Sequence, residues 1–353
     1  MILSERSEEK MLSLLKKHIC VLVTISLLFM LTACGKEKEY DFDFDTISEE
    51  LSGDFSYVSH LNIAGNYSKQ GNLILYADDH ALKLFSLTTK ESYTILEDHL
   101  NWYFEKGYIR KCFSDHYVCY VTLSWMNLPG NMYCYDINTR SKVQIPVNGN
   151  CVGTYMIKEN KVYIVTGIND QNELLVYNID TGNLKVIANG HYSDVCFTDN
   201  KMFFYDDKQD SISSISLSDN TEEVLFENQG KYTIQNLIVE DGKLYFLDNL
   251  DILKYDLSSK EILTIQKTDG VVKNKDLRFW VYGDHIISCI HNYRDDYTEV
   301  NVLNLSTGKT MPIITADNGL LHVEAYDDAI IMERDDKVEV YLFSGELLAA
   351  FPY

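Results

Sequence analysis

The stretch Val176-Tyr-Asn-Ile-Asp-Thr-Gly-Asn-Leu-Lys-Val-Ile187 reads as an apolar strand, a tight polar turn at Asp180-Thr181-Gly182, and a second strand. The same pattern recurs as Tyr135-Asp-Ile-Asn-Thr-Arg140, Tyr255-Asp-Leu-Ser-Ser-Lys260 and Leu303-Asn-Leu-Ser-Thr-Gly308. Weaker copies stand at Ser86-Leu-Thr-Thr-Lys90, Ser216-Leu-Ser-Asp-Asn220 and Phe343-Ser-Gly345, which brings the count to seven. Upstream of each copy runs a strongly apolar segment: Asn72–Tyr76, Tyr117–Val121, Val162–Val165, Met202–Tyr205, Leu244–Leu247, Ile286–Ile290 and Ile330–Met332. Their starts lie about 40 to 45 residues apart, the period of a four-stranded propeller blade.

The hydrophobic pattern fits that period. The second strand of each repeat is apolar on both faces, as a strand sandwiched between neighbouring layers must be. The fourth strand, such as Asn183–Ile187, mixes polar and apolar residues, as an outer edge strand should. No segment after residue 58 holds a 3.6-residue apolar period for three turns, which excludes helical and parallel α/β arrangements. The expectation is an all-β fold: a seven-bladed propeller of four-stranded antiparallel blades over residues 58–353, or six or eight blades if the first repeat is misread. The last repeat holds four strands of its own, at His322–Tyr326, Ile330–Glu333, Val338–Phe343 and Leu347–Phe351. The ring then closes without a borrowed strand, with Phe55–His60 as the alternative source of one.

Through its apolar-Asp-apolar-x-Thr-Gly turn the chain resembles YVTN and quinoprotein-type propellers. The Trp-Asp ending of WD repeats, the double glycine of kelch repeats and the sialidase Asp box are missing. In overall character it is similar to propeller lipoproteins of low-GC Gram-positive bacteria.

The amino terminus reads as an address. Lys16 and Lys17 precede an apolar run from Ile19 to Leu31 that is interrupted only by Thr24 and Ser26. At about 13 residues the run is too short to span a bilayer and suits a signal-peptide core. It ends in Leu31-Thr32-Ala33-Cys34, which resembles the lipobox of bacterial lipoproteins. That resemblance implies cleavage before Cys34 and its diacylation, and two acyl chains give stable anchoring. Residues 1–33 are then the signal peptide, 34–57 a tether and 58–353 the propeller, held on the extracytoplasmic face of the cell membrane. Asp41, Asp43 and Asp45 alternate with phenylalanine in the tether, but the glycine and glutamate of a calcium loop are missing.

The formal charge of −22 on 353 residues argues against a nucleic-acid partner, which requires clustered Lys and Arg. Of eight cysteines, the lipobox resemblance implies that Cys20 leaves with the signal and that Cys34 carries lipid. Cys119, Cys134, Cys196 and Cys289 lie inside apolar strands and are expected as free core thiols. Cys112–Cys119 or Cys134–Cys151 are the pairs to expect otherwise.

In a propeller the inter-blade connections and the second-to-third-strand loops meet at one mouth of the central channel, the default binding site. The loops there supply Trp102, Tyr103, Trp125, Asn127, Asp170, Arg278, Asn292, Arg294 and Asp295 as candidate binding residues, and His191 and His322 stand at the starts of first strands. Tryptophan beside Tyr, Asn, Arg and Asp can stack on a sugar or grip a peptide. His60, His191 and His322 suggest zinc, but His191 lies across the ring from the other two, which rules out a compact tetrahedral site. No nucleophile elbow, HExxH helix or phosphate-binding loop occurs, so no catalytic or metal residues and no cofactor are assigned. The expectation is a monomeric binding or scaffold protein whose partner is a cell-envelope protein, peptide or glycan. The alternative is an extracellular propeller enzyme, such as a glycan lyase, glycosidase or lactone hydrolase.

Overall fold

The computed structural model describes residues 67–352, except 78–80, 98–110, 115, 125–127, 149–151, 169–170, 268–274, 293–296, 318–319, 327 and 335–336. Cys34, the tether and Phe55–His60 therefore lie outside the described residues. The fold is a β-propeller of seven four-stranded antiparallel blades, and within each blade the strand order follows the chain. Blade 1 runs from Ser68 to Glu97, blade 2 from Lys111 to Asn148, blade 3 from Val152 to Gly190 and blade 4 from Ser193 to Glu227. Blade 5 runs from Gln235 to Gln266, blade 6 from Lys275 to Asp317 and blade 7 from Leu320 to Pro352. First strands of neighbouring blades touch one another, so they form the inner ring.

The core lies between blades rather than within them. Val162 and Ile164, on the second strand of blade 3, join Cys119, Met132 and Ile145 of blade 2 in one apolar cluster. Their neighbours Tyr163 and Val165 point the other way and join Val195, Phe204 and Ile215 of blade 4. Period-2 alternation on a strand packed from both sides makes every residue apolar, which is why these segments show no alternation in sequence. Each buried Leu, Ile or Phe of this kind contributes about 1.5–3 kcal/mol.

The repeated turn is held by the last residue of the preceding strand. Asn178 Oδ1 accepts the Thr181 backbone N–H at 2.8 Å and its hydroxyl at 2.9 Å. Asn304 Oδ1 does the same for Thr307, both at 2.9 Å. Asp256 Oδ1 accepts the backbone N–H groups of Ser258 and Ser259, which with the Ser258 hydroxyl lower its carboxyl to about 2. The left-handed residue of the turn is Gly182 and Gly308 in two blades, but Lys90, Arg140, Asn220 and Lys260 in others. Glycine and asparagine are thus not obligatory there.

Each blade uses four consecutive strands, so among the described residues no strand is exchanged between blades 7 and 1. Side chains close the ring instead. Phe351 of blade 7 stacks on Phe85 of blade 1, with centroids 4.0 Å apart. Lys90 Nζ donates to the Leu348 carbonyl at 2.9 Å, and the Tyr326 hydroxyl donates to the Tyr67 carbonyl at 2.7 Å.

Cys112, Cys119 and Cys134 sit opposite one another on three adjacent strands of blade 2. They and Cys196 are buried free thiols, Cys289 is a half-buried one, and burial pushes Cys112 up to about 12.

Candidate functional site

The inner strands begin at the channel mouth and descend to a hairpin. Four residues before the hairpin-closing position, blades 3 to 7 carry Thr154, Asp194, Asn236, Arg278 and His322. Register places these five at one level of the channel wall, and no two are alike. In blades 3, 4, 5 and 7 the strand bulges beside this level, whereas blade 6 pairs without interruption. Bulges re-aim side chains and free a position from the alternation imposed by burial. Asp194 and Asn236 take the left-handed conformation, with φ of 46° and 54°.

Two side chains of this tier reach across to the following blade. Asp194 Oδ1 accepts the Asn236 backbone N–H at 2.8 Å, and Asn236 Nδ2 donates to the Phe279 carbonyl at 3.2 Å. Blades 4, 5 and 6 are thereby linked edge to edge. Arg278 lies opposite Cys289 on the face toward blade 7, half exposed, with Nε 3.7 Å from Asp276 Oδ2. His322 Nε2 lies 2.8 Å from Glu324 Oε1. The Glu324 carboxylate is buried, accepts the Tyr67 backbone N–H at 3.2 Å, and lies 2.7 Å from the Tyr326 hydroxyl, whose one proton it shares with the Tyr67 carbonyl.

A cavity of about 290 Å³ opens beside the tier, lined by Gly153, Thr154, Val165, Asn172, Tyr192, Asp194, Val195, Asn236 and Leu237. Among the described residues Asp194 is its single carboxylate. Asp194 is exposed at the rim, yet the protein packed around its carboxyl desolvates it and raises it above its ordinary value, which the Asn236 N–H opposes in part. Tyr192 forms the outer wall: its ring packs edge-on against Phe204 at 4.6 Å, and its backbone N–H donates to Asn172 Oδ1 at 2.9 Å.

Near the inner end of the ring-closing seam, Lys111 of blade 2 is buried and held down to about 8 by desolvation, which Glu324 and Glu333 oppose. The Tyr67 hydroxyl donates to Glu333 Oε2 at 3.1 Å.

Of the residues singled out from sequence, Arg278 and His322 share the tier in adjacent blades. His191 lies half-buried in the connection from blade 3 to blade 4, next to Tyr192. Asn292 is buried at the end of the second strand of blade 6, opposite Lys275 and on the blade-5 side. Trp102, Tyr103, Trp125, Asn127, Asp170, Arg294 and Asp295 lie outside the described residues, as does His60. Among the described residues no group of three His, Cys, Asp or Glu side chains is arranged to hold a metal. Sequence reasoning missed Thr154, Asp194 and Asn236. The signal was available: from Thr154 to His322 the tier recurs every 40 to 44 residues.

No family model and no curated protein matches the chain. Its fold is similar to that of a prolyl endopeptidase, with TM-score 0.58 and 11% identity over 89% of this chain and 52% of that one. The β-propeller domain of the Trilobed protease from Pyrococcus furiosus, which has an open velcro topology, gives 0.55 at 12% identity over 84% and 96%. PorZ, a surface component of the type-IX secretion system of Porphyromonas gingivalis, gives 0.54 at 11% identity over 85% and 39%. The chain thus spans about half of the endopeptidase and less of PorZ. At these identities the likeness is one of fold alone.

Proposed function

We propose that the protein is a lipid-anchored, extracytoplasmic binding module that takes a cell-envelope protein, peptide or glycan on its channel-mouth face. One observation carries the reading. A level of the channel wall that repeats in position carries side chains that do not repeat in chemistry, beside a cavity of amino-acid or sugar size. Residues needed only to build blades recur with the blades, as the Asx-type turns do. The lipobox at Leu31–Cys34 supports the anchoring, and the charge of −22 keeps phosphate backbones away.

Neighbouring propellers include a secretion component and proteases, so the fold does not choose between binding and catalysis. A second reading rests on His322, whose ring is oriented by the buried Glu324 carboxylate as a general base is oriented in many hydrolases. Turnover on a panel of glycans and lactones that disappears in His322→Gln would favour that reading.

The binding reading is tested by affinity purification from solubilised membranes. Wild type is compared with Arg278→Ala plus His322→Ala, and with Glu261→Ala on the opposite face. Loss of a partner in the mouth variant alone supports the reading, and equal recovery in all three overturns it.

A further inference from the structure

Within the proposed mouth-face reading, on which this rests, we propose that the ligand of the blade 3–6 wall is a short zwitterionic peptide. Its ammonium group sits at Asp194 and its carboxylate at Arg278. Three chemistries stand in order along the wall on successive blades: carboxylate at Asp194, primary amide at Asn236 and guanidinium at Arg278. The two hydrogen bonds that join these blades make that order rigid.

The cavity is selective for a cation at its blade 4 end. Among the described residues Asp194 is its single charged side chain, and no described Lys or Arg lines it. Asp194 is exposed at the cavity rim with one oxygen committed to the Asn236 N–H, which leaves Oδ2 open to a ligand and without a hydrogen-bond partner among the described residues. An accessible carboxylate at a cavity rim accepts an ammonium partner, and the acidic protein as a whole concentrates cations at its surface. The neighbouring Val165, Val195 and Leu237 leave room for small apolar side chains in about 290 Å³.

The middle and far ends complete the complement. Asn236 spends Nδ2 on Phe279, while its Oδ1 accepts no hydrogen bond among the described residues and can take a peptide N–H. Among the described residues Arg278 engages Asp276 through Nε at 3.7 Å and has no partner for its terminal nitrogens, which can grip a carboxylate in bidentate fashion. A neutral glycan offers that guanidinium hydroxyl acceptors but no charge partner, and an acidic one is repelled by Asp194.

The test is isothermal titration of the soluble chain with tri-alanine, N-acetyl-tri-alanine and tri-alanine amide, using wild type, Asp194→Asn and Arg278→Gln. Each variant's circular dichroism is checked against wild type. The proposal expects acetylation and amidation each to weaken wild-type binding about tenfold or more, the scale of one charge-assisted contact. Asp194→Asn should erase the penalty for acetylation only, and Arg278→Gln the penalty for amidation only. Equal affinity for free and capped peptides overturns it, as does absence of binding at millimolar tri-alanine. Glucosamine binding that depends on Asp194 but not Arg278, with no peptide binding, also overturns the peptide assignment. Either of the last two results leaves the mouth-face reading intact if the membrane partner is still lost in Arg278→Ala plus His322→Ala.

Discussion

The carboxylate of Asp194 crosses a blade boundary to accept the backbone N–H of Asn236 at 2.8 Å. The bond needs an acceptor but not a charge, whereas burial penalises the charge. A raised folded-state pKa means that the native protein binds more protons than the unfolded chain between the two values, so stability falls as pH rises through that window. Asp194→Asn keeps the acceptor and removes the penalty. It should unfold at higher denaturant than wild type at neutral pH, with the gap closing as pH falls through the carboxylate range. Asp194→Ala instead removes the acceptor of the Asn236 N–H and should cost about 0.5–1.5 kcal/mol. Stability gained on removing a charge is the mark of a group kept for function.

Gly190 gives Tyr192 its place. A Cβ on Gly190 would lie 2.4 Å from Cε1 of the Tyr192 ring. Gly190→Ala should therefore displace the ring from Phe204 and destabilise the blade 3–4 seam by about 1–3 kcal/mol, measured by thermal unfolding.

Ring closure by side chains makes the carboxyl-terminal aromatic a stability determinant. Phe351 is 4% exposed and lies between Phe85 at 4.0 Å and Tyr76 at 5.1 Å. Phe351→Ala should cost about 3–5 kcal/mol in denaturant unfolding. Limited proteolysis of the variant should cut first in blades 7 and 1.

Lys111 titrates at about 8 against an ordinary 10.5. Between these values the unfolded chain keeps a proton that the folded chain has released, so stability rises with pH across the window. Each pH step of one within the window is worth at most about 1.4 kcal/mol. Relative to Lys111→Met, wild type should therefore gain about 2–3 kcal/mol between the folded and unfolded titration points, read from denaturant unfolding across that range. A flat difference would show that the amine is well solvated.

The blade count was legible in sequence because second strands such as Lys161–Ile168 are buried on both faces and lose their alternation. The hairpins were legible from their polar composition. Their anchoring was less so: Asn178 and Asp256 look like strand residues, and only the backbone path shows them capping the turn. Asp194 and Asn236 were missed for a related reason. A single polar residue at the start of an apolar strand resembles the end of a loop, and the bulges that expose it leave no local signal. Arg278 and His322 were found individually, yet their common level appears only when the repeats are aligned on the hairpins rather than on the turns.

Whether partners meet the channel mouth can be read by site-specific photocrosslinking in cells. A photoreactive residue replaces Gln235, exposed on the inner strand of blade 5, or Glu261, exposed at a turn on the opposite face. Binding at the mouth predicts a defined adduct from position 235, absent from position 261 and abolished by Arg278→Gln. An adduct from position 261 with none from 235 would contradict it.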